Sequence, residues 1–142
     1  MSAALAGLPG WARALLDDEP VGRLAYADAD DRPRVLPISF AVAGDAVWSA
    51  IDEKPKRRRE PARLAYLRRR PEAALCVDRY DDDWARLAWV QLLGTVRIVE
   101  AAAAPGALAA LAARYEPYRL CAPPGPLLRF APERALCWRA AD

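Results

Sequence analysis

The chain has 142 residues, 54% of them hydrophobic, with 21 Lys/Arg against 19 Asp/Glu, three cysteines and no histidine. That length and apolar content suit a single domain, 1–142, with a real core, and no apolar run approaches the ~20 residues of a membrane span. Without histidine, Ser-His-Asp and Cys-His catalysis, His-ligated haem and most zinc hydrolase designs are excluded, so chemistry must come from carboxylates, Lys, Arg, Tyr or a bound cofactor.

The opening Met1–Gly10 is mildly apolar but has no basic n-region, so no signal peptide is expected there. Cys76, Cys121 and Cys137 lie far apart without CxxC spacing, which gives neither a disulfide framework nor a zinc knuckle. Each reads as a small apolar packing residue in a reducing compartment, and a cytoplasmic location is expected.

The predicted elements follow in order. Leu8–Asp17 reads as a short helix with Trp11 and Leu15 on one stripe. Val21–Ala27 is a first strand, Asp28–Arg32 a polar turn, and Pro33–Val42 a second strand whose Pro37 calls for an edge, a bulge or a barrel rim. Gly44-Asp45 is a hairpin signal of the type with glycine first, and Ala46–Ile51 is a third strand. A basic loop follows, and then a helix from Pro61 to Arg70, with Pro61 in its first turn and Arg68 to Arg70 at the negative end of its dipole. Ala73–Tyr80 is a fourth strand, Asp81–Trp84 an acidic loop, and Leu87–Glu100 a long strand with Gly94 as a bulge or bend. Ala101–Tyr115 is an Ala-rich helix that buries Leu108 and Leu111, Glu116–Pro126 a loop, and Leu127–Arg139 a last strand or strand pair interrupted near Pro132. Strands joined by hairpins point to a mainly β (α+β) fold: an antiparallel sheet of about six strands curled into a barrel, with flanking helices.

Charge is concentrated in one place. Between Lys54 and Arg70 stand nine Lys/Arg and one acid, which leaves that stretch at +8 and the remainder at −6. Lys54, Lys56, Arg57, Arg58 and Arg59 repel one another unless solvent or an anion relieves them. From charge alone a solvated turn and an anion site stand level, and a nucleic-acid-binding module using Lys54 to Arg70 is a third reading, with only Tyr66 as a nearby aromatic. Asp81, Asp82 and Asp83 do not read as a metal site, because three successive acids point different ways; a solvated or salt-bridged loop is expected.

Five runs resemble a known family: Val21-Gly-Arg-Leu-Ala25, Arg32-Pro-Arg-Val-Leu-Pro-Ile-Ser-Phe40, Ile51-Asp-Glu-Lys-Pro-Lys-Arg57, Leu75-Cys-Val-Asp-Arg-Tyr-Asp-Asp-Asp-Trp84 with Arg86 and Trp89, and Pro123-Pro-Gly-Pro126. They resemble the pyridoxamine-phosphate-oxidase-like split-barrel family, FMN-binding in name, and within it the actinobacterial branch of oxidoreductases that use coenzyme F-420, an 8-hydroxy-5-deazaflavin. The resemblance implies a split barrel and a homodimer with cofactor at the subunit interface. It also implies hydride transfer between reduced deazaflavin and an unsaturated small molecule, with an FMN-dependent oxidase or reductase and a non-catalytic cofactor carrier as alternatives; membrane and nucleic-acid partners are not expected. It places the cofactor phosphate on the basic loop, at Lys54, Lys56 and Arg57, with Arg58, Arg59 and Arg63 left for an anionic tail. Glu53 departs from the neutral or basic residue expected there, so the grip falls chiefly on Lys56 and Arg57. Arg34, Pro37, Ile38 and Ser39 are implied to flank the cofactor, with Ser39 donating to a ring carbonyl, and Trp89 to face the ring, of the other subunit's cofactor in one arrangement. An edge-strand Ser39 and a core or dimer-contact Trp89 are the plain alternatives. Trp48 and Trp138 are expected in the core and Trp84 as the anchor of its loop, while Tyr26, Tyr80 and Tyr115 are equal candidates to supply a proton.

Overall fold

The computed structural model describes residues 2–51 and 61–140. Helices α1 (Ala3–Ala6) and α2 (Gly10–Asp18) lead into strands β1 (Gly22–Ala27), β2 (Pro33–Ile38), β3 (Ala41–Ala43) and β4 (Ala46–Ala50). Helix α3 (Ala62–Arg69) is followed by β5 (Glu72–Arg79) and β6 (Ala88–Val99), then by helices α4 (Pro105–Arg114) and α5 (Glu116–Leu120), and β7 (Leu127–Arg139) closes the chain. The strands form one sheet in the order β2-β1-β5-β6-β7-β4-β3, antiparallel at every pairing. Among the described residues no helix is long and apolar enough to cross a membrane.

The expected second strand, Pro33–Val42, is two strands. It breaks at Ser39-Phe40, so that β2 lies on one outer edge of the sheet and β3 on the other. Two residues span only about 7 Å, so the two edges of a seven-stranded sheet must come together and the sheet must roll up. This is the split barrel, with seven strands where about six were expected. The break is held because other groups take the backbone: Phe40 N–H donates to the Tyr115 hydroxyl at 2.9 Å, Arg114 donates to Phe40 O at 2.9 Å, and Ser49 Oγ donates to Ser39 O at 2.7 Å. Pro37 lies on an edge strand as expected, where a missing N–H costs no central ladder bond.

Two glycines do work that a side chain would prevent. Gly44 turns the β3–β4 hairpin at φ 62°, in the left-handed region glycine enters without strain. At Gly94 the β6–β7 register shifts, with Gly94 opposite Pro132 and Leu93 opposite Arg134; a Cβ there would lie 2.0 Å from the Ala131 carbonyl oxygen. β7 therefore passes Pro132 as one bulged strand without interruption.

The main core lies inside the barrel and under α2 and α3. Leu24, Leu75 and Leu92 come from β1, β5 and β6, Phe40 from the crossover, Leu16 from α2 and Leu64 and Leu67 from α3. A smaller cluster packs α4 against β3, β4 and β7 through Ala107, Leu111, Ala41, Ala50 and Leu127; Leu111 is buried as expected and Leu108 is partly so. Two further expectations change. The loop foreseen from Glu116 contains the short helix α5, whose Pro117 sits in its first turn. Trp138, expected in the core, is 45% exposed, because its position alternates with Cys137 on a strand of which only one face meets the interior.

Candidate functional site

Strand alternation gives the sheet a second face, and the register shows what lies on it. One row runs Val35–Ala25–Ala74–Leu93–Arg134 and the next runs Pro37–Arg23–Cys76–Gln91–Leu136. A third joins Asp78, Trp89 and Trp138. The intervening residues Leu24, Leu75 and Leu92 point into the core, so these rows face outward. Along this face Val35 is 67% exposed, Trp138 45% and Trp89 36%. Within the face Arg23 and Asp78 pair at 2.9 Å. A shallow depression follows the first row over Ala25, Ala74 and Leu93, with Glu72 and Arg134 at its rim. A largely apolar sheet face with two adjacent indoles suits a planar ring or another protein surface.

Of the expected site residues, Pro37 and Trp89 lie on this outer face in neighbouring rows, but on β2 and β6, three strand positions apart. Trp89, Gln91 and Leu93 share it, as alternation predicts. Ile38 points the other way and packs on the core. Arg34 reaches Asp28 at 3.5 Å, at the far end of β2 from the crossover. The Asp28 carboxyl also accepts the N–H groups of Asp30 and Arg32. The Arg32 bond chiefly holds its pKa below the usual value against the opposing effect of burial. Ser39 lies in the crossover, its hydroxyl 3.0 Å from that of Tyr118. Lys54, Lys56 and Arg57, with Arg58 and Arg59, lie outside the described residues. The strand that leads to them, β4, carries Ser49, which grips the Ser39 carbonyl.

The crossover is built from residues that sequence reasoning did not assemble. Arg114 reaches Phe40 O and Glu19 O, with its guanidinium 4.4 Å above the Phe40 ring. The Tyr115 hydroxyl accepts from Phe40 N–H and faces the carbonyls of Pro20 and Phe40 at 2.8 and 2.9 Å. Tyr115 therefore serves the backbone in this structure. Tyr26 is buried and stacks on Tyr66 at 6.4 Å; Tyr80 stands 68% exposed. Separations of 74 residues and more between Arg114 or Tyr115 and their crossover partners left no local signal to find them by.

The acidic loop is salt-bridged within the chain. Asp81 pairs with Arg86 at 3.2 Å and accepts from Asp83 N–H, while Asp83 caps the turn Trp84–Arg86. Trp84 is 69% exposed and does not anchor the loop by burial. At the end of α3, Arg69 and Arg70 both reach Asp31, and Arg69 also donates to Ala29 O. Part of the basic stretch is thus turned back on the chain, which weakens the nucleic-acid reading. On the outer face the Cys76 thiol is pushed up, first by burial and then by the Asp78 carboxylate, against the pull of Arg23.

A family model described as pyridoxamine 5'-phosphate oxidase matches residues 11–135. No curated protein matches the chain. Among solved structures, a conserved hypothetical protein from Mycobacterium tuberculosis is 19% identical with a TM-score of 0.73, over 99% of this chain and 89% of that one. A FAD-binding protein from Mesorhizobium loti is 18% identical with a TM-score of 0.65, over 92% and 94%. An F-420 reductase is 23% identical with a TM-score of 0.66, over 91% and 98%. At these identities the likeness to each structure is one of fold.

Proposed function

Since the chain belongs to the pyridoxamine 5'-phosphate oxidase family, we propose that it is an oxidoreductase moving a hydride between reduced coenzyme F-420 and an unsaturated small molecule. The same fold with FMN, as oxidase or reductase, is the second reading. The observation that carries the proposal is the junction at Ser39: the edge strand with Pro37, the crossover hydroxyl, and the β4 strand that leads into the basic loop converge there. The ring lies against the edge strand and the Ser39 hydroxyl, and Lys56 and Arg57, aided by Lys54, hold the phosphate, since guanidinium grips phosphate in bidentate fashion. The deazaflavin or flavin supplies the hydride chemistry; the chain binds, orients and shields. No residue is assigned as acid or base. That an F-420 reductase and a FAD-binding protein share this fold supports the reading.

The partner is a second copy of the chain, seated on the outer sheet face, with Trp89 brought toward the other subunit's cofactor. Exposed indoles and aliphatic residues, with Arg23 and Asp78 paired among them, suit such an interface.

Titrating the purified chain with coenzyme F-420 and with FMN, followed by absorption, tests this. Saturable F-420 binding is expected, and Lys56→Ala with Arg57→Ala should abolish it with circular dichroism unchanged. Binding of FMN alone overturns the deazaflavin assignment; binding of neither overturns the whole reading, and a salt-sensitive affinity for DNA or RNA in its place would favour the nucleic-acid module.

A further inference from the structure

Three neighbouring strands carry a grid of outward residues whose two ends are opposites. Across β5, β6 and β7 the rows read Asp78–Trp89–Trp138, Cys76–Gln91–Leu136 and Ala74–Leu93–Arg134. The first row is bulky and acidic, with two exposed indoles beside a carboxylate. The last row is hollow and basic: Ala74 and Leu93 line the shallow depression, and Arg134 stands at its rim. Arg134 is exposed, and among the described residues no carboxylate pairs with it. Asp78 gives its Oδ1 to Arg23 and keeps Oδ2 for another cation.

A face whose ends complement each other complements a copy of itself. A half-turn about an axis normal to the sheet at Gln91 exchanges the first row with the last, and β5 with β7. It sets Trp138 over Ala74 of the partner subunit, Trp89 over Leu93 of the partner subunit, and Arg134 against Asp78 of the partner subunit, each contact made twice. We infer that a second copy docks in this one register, with the two-fold axis at Gln91, which rests on the second-copy reading above and adds the residues that meet. Five strands about 4.8 Å apart and eight residue steps of about 3.3 Å make the face roughly 600 Å² in projection, of the order of the ~800 Å² that each partner of a standard interface buries. Large meets small in the indole contacts, and cation meets anion in the other. A slip by one row in either direction parts the two charges and leaves Arg134 covered without a counter-ion, which is costly. The charges therefore fix the register, and the indoles filling the hollows supply the apolar burial.

A charge exchange between chains tests the register. Arg134→Glu alone sets carboxylate against carboxylate at both contacts, and Asp78→Lys alone sets cation against cation. Each should raise the dimer dissociation constant about tenfold or more in sedimentation velocity. An equal mixture of the two variants should recover dimers close to wild-type strength, because a mixed pair makes one native contact and one exchanged contact; native mass spectrometry identifies the mixed species. The axis is tested separately, in a chain whose Cys76 and Cys121 are replaced by serine. A residue on a two-fold axis meets its own copy, whereas one two steps along the strand lies about 13 Å from its copy. Gln91→Cys should therefore form an interchain disulfide on mild oxidation and Leu93→Cys should not. This arm stands even where a charge variant lowers the melting temperature. A mixture that associates no better than its components overturns the register, as does a dimer that Gln91→Cys fails to link. Either result leaves the second copy in place, whereas a wild-type chain that is monomeric at every concentration overturns both.

Discussion

The two faces of β1, β5 and β6 are made from alternate residues of the same strands, yet they do different work. Inward, Leu24, Leu75 and Leu92 are no more than 2% exposed. Outward, one register step away, Ala25, Ala74 and Leu93 form a row that ends in the exposed Val35, and Trp89 pairs with Trp138 in the open. The outer face sets Arg23, Asp78, Gln91 and Arg134 among its apolar residues, yet much of it is apolar too. The inner face is consumed in folding the chain; the outer face is apolar surface that folding leaves over, and a surface of that kind marks association or ligand binding. Stability and association are thus separable within one strand.

The sharpest break of this comparison is on the inner face. Leu75→Ala should cost about 2–5 kcal/mol of stability, read by denaturant unfolding, because it removes a buried side chain and leaves a cavity. The outward neighbour Ala74→Ser should stay within about 0.5 kcal/mol in the same measurement. Next in size is the outer face itself. Trp89→Lys with Trp138→Lys should cost the fold about 1 kcal/mol or less yet convert a dimer to a monomer in sedimentation velocity. A wild-type chain that sediments as a monomer at every concentration would remove the second copy from the reading.

Cysteine chemistry sharpens the same contrast with a smaller effect. Cys121 is exposed, whereas Cys76 sits half-buried in the outer face with its thiol pushed up by burial. At neutral pH Cys121 should be alkylated first, and Cys76 more slowly still as protein concentration rises and copies cover the face. Mass spectrometry after timed alkylation reads both rates; equal rates at all concentrations would argue against a covered face.

The smallest expected effect lies at the end of β1. Asp28 has a lower pKa folded than unfolded, chiefly through the Arg32 N–H bond. Its contribution to stability is therefore present above the unfolded carboxylate pKa of about 3.9 and is lost as pH falls through the folded value. Asp28→Asn should lower stability at neutral pH and flatten the acid limb of the stability profile below about pH 4, the two profiles converging at low pH. An unaltered acid limb would contradict the assignment.

Much of this was legible along the chain. Pro37 marked an edge strand and Gly94 marked the bulge, because backbone sterics act over a few residues. The loss of strand pairing at Ser39-Phe40 was not legible. Val42 continues the apolar alternation of β2, and what stops it is Tyr115, Arg114 and Ser49, two of them more than 70 residues away. Trp138 was misplaced for a related reason: a large apolar side chain reads as core until the register shows which face it occupies.

The sequence by itself determined the mainly β class, the hairpins, the concentration of cations between Lys54 and Arg70, and the absence of histidine chemistry. Those follow from composition and from periodicities a few residues long. Only the tertiary structure decided that one apparent strand serves both edges of the sheet, that Tyr118 stands against Ser39, and that an apolar face is left outside the barrel. Those depend on which distant segments pack together, and burial energy selects that packing over the whole chain at once.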